Sequence, residues 1–186
     1  MRRLLLVALL ATAALLAGCA GTAERRDTRA EVGDEVPAAT SMNEADIRFL
    51  QAMAAHTEQS VEIARSVQDR IDDPEIKMLV GAVKATEFDE HVMTRAWLQA
   101  VDSDPAATAP AQGADEGLAR LRGTPEAAVD AVLCELLGTH HRTAAELARS
   151  HTEAGASPEV LAYARRVERS RTAGAELLDR LSAGDT

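Results

Sequence analysis

Residues 46–67 read DIRFLQAMAAHTEQSVEIARSV, and residues 130–151 read DAVLCELLGTHHRTAAELARSH. A shift of 84 positions lays the first stretch on the second without a gap, and the match continues until 46–97 covers 130–181. Asp46, His56, Glu62, Ala64, Arg65, Ser66, Pro74, Glu75 and Val83 meet identical residues at Asp130, His140, Glu146, Ala148, Arg149, Ser150, Pro158, Glu159 and Val167. The turn, the helix-opening proline and the apolar register align together, which marks an internal repeat. One helical hairpin cannot bury its own apolar stripe, whereas two copies bury theirs against each other. The repeat therefore predicts an all-α four-helix bundle of two duplicated hairpins.

Prolines set the helix boundaries. Asp73-Pro74-Glu75, Thr124-Pro125-Glu126 and Ser157-Pro158-Glu159 each place a capping side chain before proline at the first helical position. With Asn43 as a further cap and Gly155 as a stop, the expected helices are about 43–70, 74–101, 125–153 and 158–182. Repeat 1 then spans about 43–101 and repeat 2 about 125–182, within one bundle domain of 43–182. Residues 102–113 read as a loop, and 114–122 as a short extra helix. One Trp, one Tyr and two Phe, against abundant Ala, Leu, Glu and Arg, favour helix throughout.

Ahead of the bundle, Arg2 and Arg3 precede an apolar run from Leu4 to Leu16 and then Ala17-Gly18-Cys19. This pattern reads as a secretory leader over 1–18, too short an apolar run to span a bilayer. Leu16-Ala17-Gly18-Cys19 resembles the bacterial lipobox, so Cys19 is the expected acylation site. Residues 19–42 then read as the acylated cysteine and a flexible tether. The expected location is the extracytoplasmic face of the cell membrane, with the membrane itself as partner through the lipid. Lys and Arg number 20 against 30 Asp and Glu, a net charge of −10, and loss of the leader deepens it by two. Such a surface disfavours nucleic acid. Cys134 is the one other cysteine, so no internal disulfide is expected.

Turning each helix by about 100° per residue separates its faces. Phe49, Leu50 and Met53 define one apolar arc, Thr57 falls inside it and His56 lies at its edge. Leu133, Cys134 and Leu137 define another, carrying His141, with His140 at its edge and His151 about three turns away. In the second helix Glu87 and Glu90 share the stripe of Val80, Val83 and Trp97, while His91 is expected to face outward. The fourth helix places Arg171 and Gly174 at the positions equivalent to Glu87 and Glu90. Counting outward from each turn puts His56, Glu87, Glu90, His140, His141 and Arg171 at one level. A polar layer halfway along the bundle follows, with Arg171 and the repeated Asp46 and Asp130 as structural polar residues.

Two chemistries suit such a layer. Imidazoles and carboxylates from facing helices are the means by which bundles hold metals, which makes His56, His140, His141, Glu87 and Glu90 candidate ligands. Alternatively, Arg171 neutralises Glu87 or Glu90 and the layer is an internal salt bridge with no metal. Met53, Met78 and Met93 offer thioethers suited to copper(I), although Met53 also suits plain packing. No nucleophile–base constellation, phosphate-binding glycine loop or paired-cysteine motif occurs, so catalysis is not expected. A cell-envelope interaction module without metal is the competing functional class.

Asp46-x-x-Phe49-Leu50-x-x-Met53-x-x-His56, through Glu62-Ile63-Ala64 to Trp97-Leu98, resembles the bacterial domain-of-unknown-function family 305 of the ferritin-like group. Gly123, Val129-Asp130, Leu133 and His140-His141-x-x-Ala144 are similar to that family's second motif. The resemblance implies a secreted or periplasmic four-helix bundle, often lipid-anchored, with copper binding through His and Met in some members. By position it implies roles for Met53, His56, His140 and His141. Thr57 stands where the family's first His-His pair has its second histidine, and Leu136 and Leu137 stand where methionines are usual.

Overall fold

The computed structural model describes residues 41–104 and 114–183. The expected leader, Cys19 and most of the tether lie outside the described residues. Among the described residues no helix is long and apolar enough to cross a membrane. The chain builds α1 (Glu44–Val67), α2 (Pro74–Ala100), α3 (Ala114–Gly123), α4 (Val129–Thr152) and α5 (Pro158–Ala183). α1 and α2 form one hairpin, α4 and α5 the other, and α1 packs on α4 between them.

Local chemistry explains the boundaries. The Asn43 side chain accepts from Asp46 N at 2.9 Å, and the Asp46 carboxylate accepts from Asn43 N at 2.8 Å, a reciprocal box that opens α1. The Asp73 carboxylate accepts from Glu75 N and Ile76 N ahead of α2, whose first residue is Pro74. The third main helix departs from expectation. Glu126–Ala128 is a single 3-10 turn and the α-helix starts at Val129. Thr124 is not free to cap it, because its hydroxyl donates back to the Arg120 carbonyl at 2.8 Å and so finishes α3.

The hairpins run antiparallel and hold each other's turns. Asp46, at the start of α1, accepts from Ala156 N and Ser157 N, both at 3.1 Å, in the α4–α5 turn. Its repeat partner Asp130, at the start of α4, accepts from Asp73 N at 2.8 Å in the α1–α2 turn. Since Asp73 and Ser157 are also 84 apart, the two clamps are reciprocal, as a near-twofold relation between the repeats requires. Asp46 and Asp130 therefore lie at opposite ends of the bundle, away from its centre.

The apolar core falls into two clusters. One, near the first turn, joins Ile63, Val67, Ile76 and Val80 to Leu133, Cys134, Leu137 and Leu178, with Leu118 and Leu121 of α3 covering it. The other, near the second turn, joins Phe49, Leu50, Met53, Trp97 and Leu98 to Ala148, Val160, Tyr163 and Val167. Both clusters draw on both repeats, so neither hairpin has a core of its own. Polar side chains occupy the level between them.

Candidate functional site

That level is supplied by four helices. His56 comes from α1, Glu87 and Glu90 from α2, His140 and His141 from α4, and Arg171 from α5. All six are buried. The repeat partners His56 and His140 stack face to face, ring centroids 3.5 Å apart and planes 11° from parallel. His140 Nε2 lies 3.1 Å from the His56 carbonyl, which only accepts, so this nitrogen carries the proton. His141 Nε2 likewise donates to Glu87 Oε1 at 3.1 Å.

Arg171 closes the other side of the layer. Its Nη2 pairs with Glu90 Oε2, and its Nε lies 3.3 Å from Glu87 Oε1. One guanidinium thus serves two carboxylates. In the first repeat the position equivalent to Arg171 is Glu87 itself, so the duplication has become a complementary pair. The position equivalent to Glu90 is Gly174, where a Cβ would sit 2.5 Å from His141 Nδ1. Absence of a side chain there is what admits the His141 ring.

Burial governs the protonation of the layer. It holds the His56 imidazole well below its ordinary range, helped by His140 alongside. Burial also lowers His140 to about 4, despite the opposing pull of Glu87 and the bond to the His56 carbonyl. For Glu87 burial acts upward, but the His141 hydrogen bond and the Arg171 charge outweigh it and hold the carboxyl at about 2. Glu90 moves up through burial and the neighbouring Glu87 charge, against the pull of Arg171.

Four atoms in this layer are buried without a hydrogen-bond partner among the described residues: His56 Nε2, His141 Nδ1, Glu87 Oε2 and Arg171 Nε. Imidazole nitrogen and carboxylate oxygen are chemically suitable metal donors. They do not converge, however, and among the described residues no three His, Cys, Asp or Glu side chains group around a point that could hold an ion. Stacking bears only on His56 and His140, whose in-plane lone pairs lie in near-parallel planes and so do not meet at one point.

The remaining candidates lie elsewhere. Met53 sits fully buried in the second apolar cluster and Met93 packs on its edge, while Met78 is exposed on α2. Cys134 lies in the first cluster, its thiol raised by burial to about 11. Thr57 spends its hydroxyl on the Met53 and Ala54 carbonyls. His91, expected to face outward, is half-buried instead, with Nδ1 3.0 Å from the Ala54 carbonyl. Small Ala54 leaves room for that ring against α1.

Sequence reasoning also missed a pairing at the bundle's end. His151 Nε2 lies 3.1 Å from Asp46 Oδ1, and its ring stacks on Phe49 at 4.3 Å. Gly155 passes close by, where a Cβ would come within 2.5 Å of His151 Nε2. Placement of His151 on the apolar arc was the available signal; that it meets Asp46 follows from the antiparallel docking of the hairpins.

The fold and the layer define a class: a duplicated-hairpin four-helix bundle whose apolar core is split by a buried belt of histidine, glutamate and arginine. Residues 46–182 match the family described as Domain of unknown function (DUF305), and the chain belongs to it. A DUF305 fragment from Deinococcus radiodurans has a similar structure, with TM-score 0.70 and 17% identity, covering 76% of this chain and 97% of that one. A DUF305 protein from Streptomyces coelicolor, described as a candidate secreted protein, gives 0.70 at 24% identity, covering 80% and 94%. CopM in its Cu(II)-bound form gives 0.66 at 19% identity, covering 75% and 96%. No curated protein matches the sequence.

Proposed function

We propose that this chain is an extracytoplasmic lipoprotein, held to the cell membrane through acylated Cys19, whose bundle takes up a copper ion at the histidine layer. The observation that carries the metal reading is the set of partnerless buried atoms that suit a metal, His56 Nε2, His141 Nδ1 and Glu87 Oε2. A buried polar atom left without a partner costs about 1–3 kcal/mol, a cost that a ligand removes. Two of the three are imidazole nitrogens, and His56 is held neutral, the form that binds metal. With Met53 sequestered among apolar side chains, the layer offers nitrogen and oxygen donors, which suit copper(II) better than copper(I). CopM, known in Cu(II)- and Cu(I)-bound forms, shares this fold and supports the reading.

His56 must unstack from His140 for its nitrogen to turn toward His141 and Glu87. Arg171 opposes the incoming charge and holds Glu87, so it sets an upper limit on affinity. Binding rather than catalysis is the assigned role, consistent with the sequence. The leader and Leu16-Ala17-Gly18-Cys19 support the anchor, and the similar Streptomyces coelicolor protein, a candidate secreted protein, supports export.

Copper(II) titration of the full chain, followed by electron paramagnetic resonance, tests the site. Nitrogen hyperfine structure is expected, and is lost in the His56→Ala, His141→Ala double variant. No uptake, or uptake that this variant leaves unchanged, removes the assignment. A second reading is favoured by Arg171 bridging Glu87 and Glu90: a metal-free layer that fixes helix register in an envelope interaction module. Absence of copper uptake selects it. Palmitate labelling that persists in Cys19→Ser would refute the anchor.

A further inference from the structure

The outward face of α2 is apolar where the equivalent face of α5 is charged. Met78, Gly81, Ala85, Phe88 and Val92 follow the alternating three- and four-residue spacing of a coiled-coil seam, on the side of α2 away from the core. Ala82 and Ala96 flank them. Met78, Phe88 and Val92 are 72%, 47% and 53% exposed, the large apolar side chains the bundle leaves in water. The duplication supplies an internal control. At the positions 84 further on stand Ala162, Arg165, Arg169, Thr172 and Glu176, all exposed. Both helices occupy equivalent places in the bundle, so bundle packing does not require apolar residues on this face.

We propose that this face of α2 docks a second copy of the same chain, α2 against α2 in parallel. A net charge of −10 opposes self-association in general, so contact between copies needs a face where charge is balanced. Here it is. Lys77 and Lys84, the chain's two lysines, border the seam on one side, opposite Glu75 and Asp89, and Arg95 takes the next seam position after Val92. Lys84 and Asp89 lie on opposite flanks five positions apart, the spacing at which parallel helices pair across a seam. Twofold symmetry makes that pair twice. Antiparallel packing would instead set the lysine flanks of the two copies against each other.

Shape agrees with charge. A Cβ at Gly81 would meet nothing within 4 Å, and with Ala85 it leaves a low stretch where two helix backbones can approach. Beside it a hollow of about 160 Å³, lined by Ile71, Lys77, Val80, Gly81 and Lys84, leaves room for a partner's side chain. Lys84 now bonds Gln68 within its own chain, a rim contact of the kind that re-pairs on association. Parallel pairing also points both bundle N-termini the same way, which suits two chains anchored in one membrane; that last point rests on the anchoring reading above.

Disulfide trapping in the full chain carrying Cys19→Ser tests the proposal independently of acylation. In a parallel pair each seam residue faces its own counterpart, so Ala85→Cys and Phe88→Cys are expected to give covalent dimers on mild oxidation. Arg169→Cys, the equivalent site on α5, is expected to give none, and buried Cys134 stays out of the reaction. Light scattering is expected to show two chains for the parent and one for Phe88→Glu with Val92→Arg. A single-chain mass at every concentration, with crosslinking no greater than at Arg169→Cys, overturns the proposal. So does a monomer that sediments with phosphatidylglycerol vesicles in a Phe88-dependent way, which would make the seam a lipid contact.

Discussion

His56 stacks on His140, its own counterpart in the repeat, 3.5 Å away. A residue that meets its repeat partner lies on the axis relating the two halves, so this pair marks the centre of the bundle. Both rings are held below their ordinary proton affinity, chiefly by burial. Two stacked imidazolium ions would repel, and the stacked geometry belongs to the neutral forms.

A pH dependence follows directly. The folded value of His140 is depressed from 6.5 to about 4, so the unfolded chain binds more protons between those limits. Its stabilising contribution is complete above 6.5 and disappears as pH falls through about 4. From the size of that shift the loss is on the order of 3 kcal/mol. Glu87, depressed from 4.5 to about 2, adds a further loss below 4.5. Urea midpoints measured from pH 7 to 4 are expected to fall, with a shallower fall in His140→Gln. An unchanged slope in that variant would contradict the assignment.

The two aspartate clamps are unequal. Asp46 accepts from Asn43 N, Ala156 N and Ser157 N, whereas Asp130 accepts from Asp73 N. Asp46→Ala is expected to destabilise by about 2–4 kcal/mol, and Asp130→Ala by about 1 kcal/mol. Equilibrium urea unfolding of both variants measures the order, and equal losses would refute it.

Gly174 and His141 are expected to couple. Gly174→Ala drives a methyl into the imidazole and costs about 1–3 kcal/mol by overpacking. In the His141→Ala background the same change has room and is expected to be near neutral. A double-mutant cycle that shows simple additivity would remove the steric account.

Arg171→Met leaves Glu87 and Glu90 facing each other without a cation. A loss of about 3–5 kcal/mol is expected, because removing one partner strands buried charge. Glu87→Gln or Glu90→Gln in that background is expected to recover part of it. If the layer binds copper, Arg171→Met with Glu90→Gln is also expected to tighten uptake at least tenfold, since the competing cation is gone.

Much of this architecture was legible in the chain itself. The 84-residue repeat and the proline caps carry the four-helix plan, and helical phase turns Glu87, Glu90, His141 and Arg171 inward and sets His56 and His140 at the edges of their arcs. Helix starts failed only at 125–128, where Thr124 had a prior obligation to Arg120 that no propensity encodes. The outward expectation for His91 failed because helical phase describes one helix at a time, and the depth of a flank position depends on the neighbour's side-chain size.

By itself, then, the sequence determined periodicity: which residues turn inward, where helices begin, and that one hairpin answers another. Tertiary structure alone decided who meets whom. Partner choice among buried polar groups depends on the antiparallel docking of the hairpins and on rotamers chosen under close packing. Those turn one set of residues into His141–Glu87–Arg171–Glu90 rather than a ring of converging ligands, and bring Asp46 to His151 across 105 residues of chain.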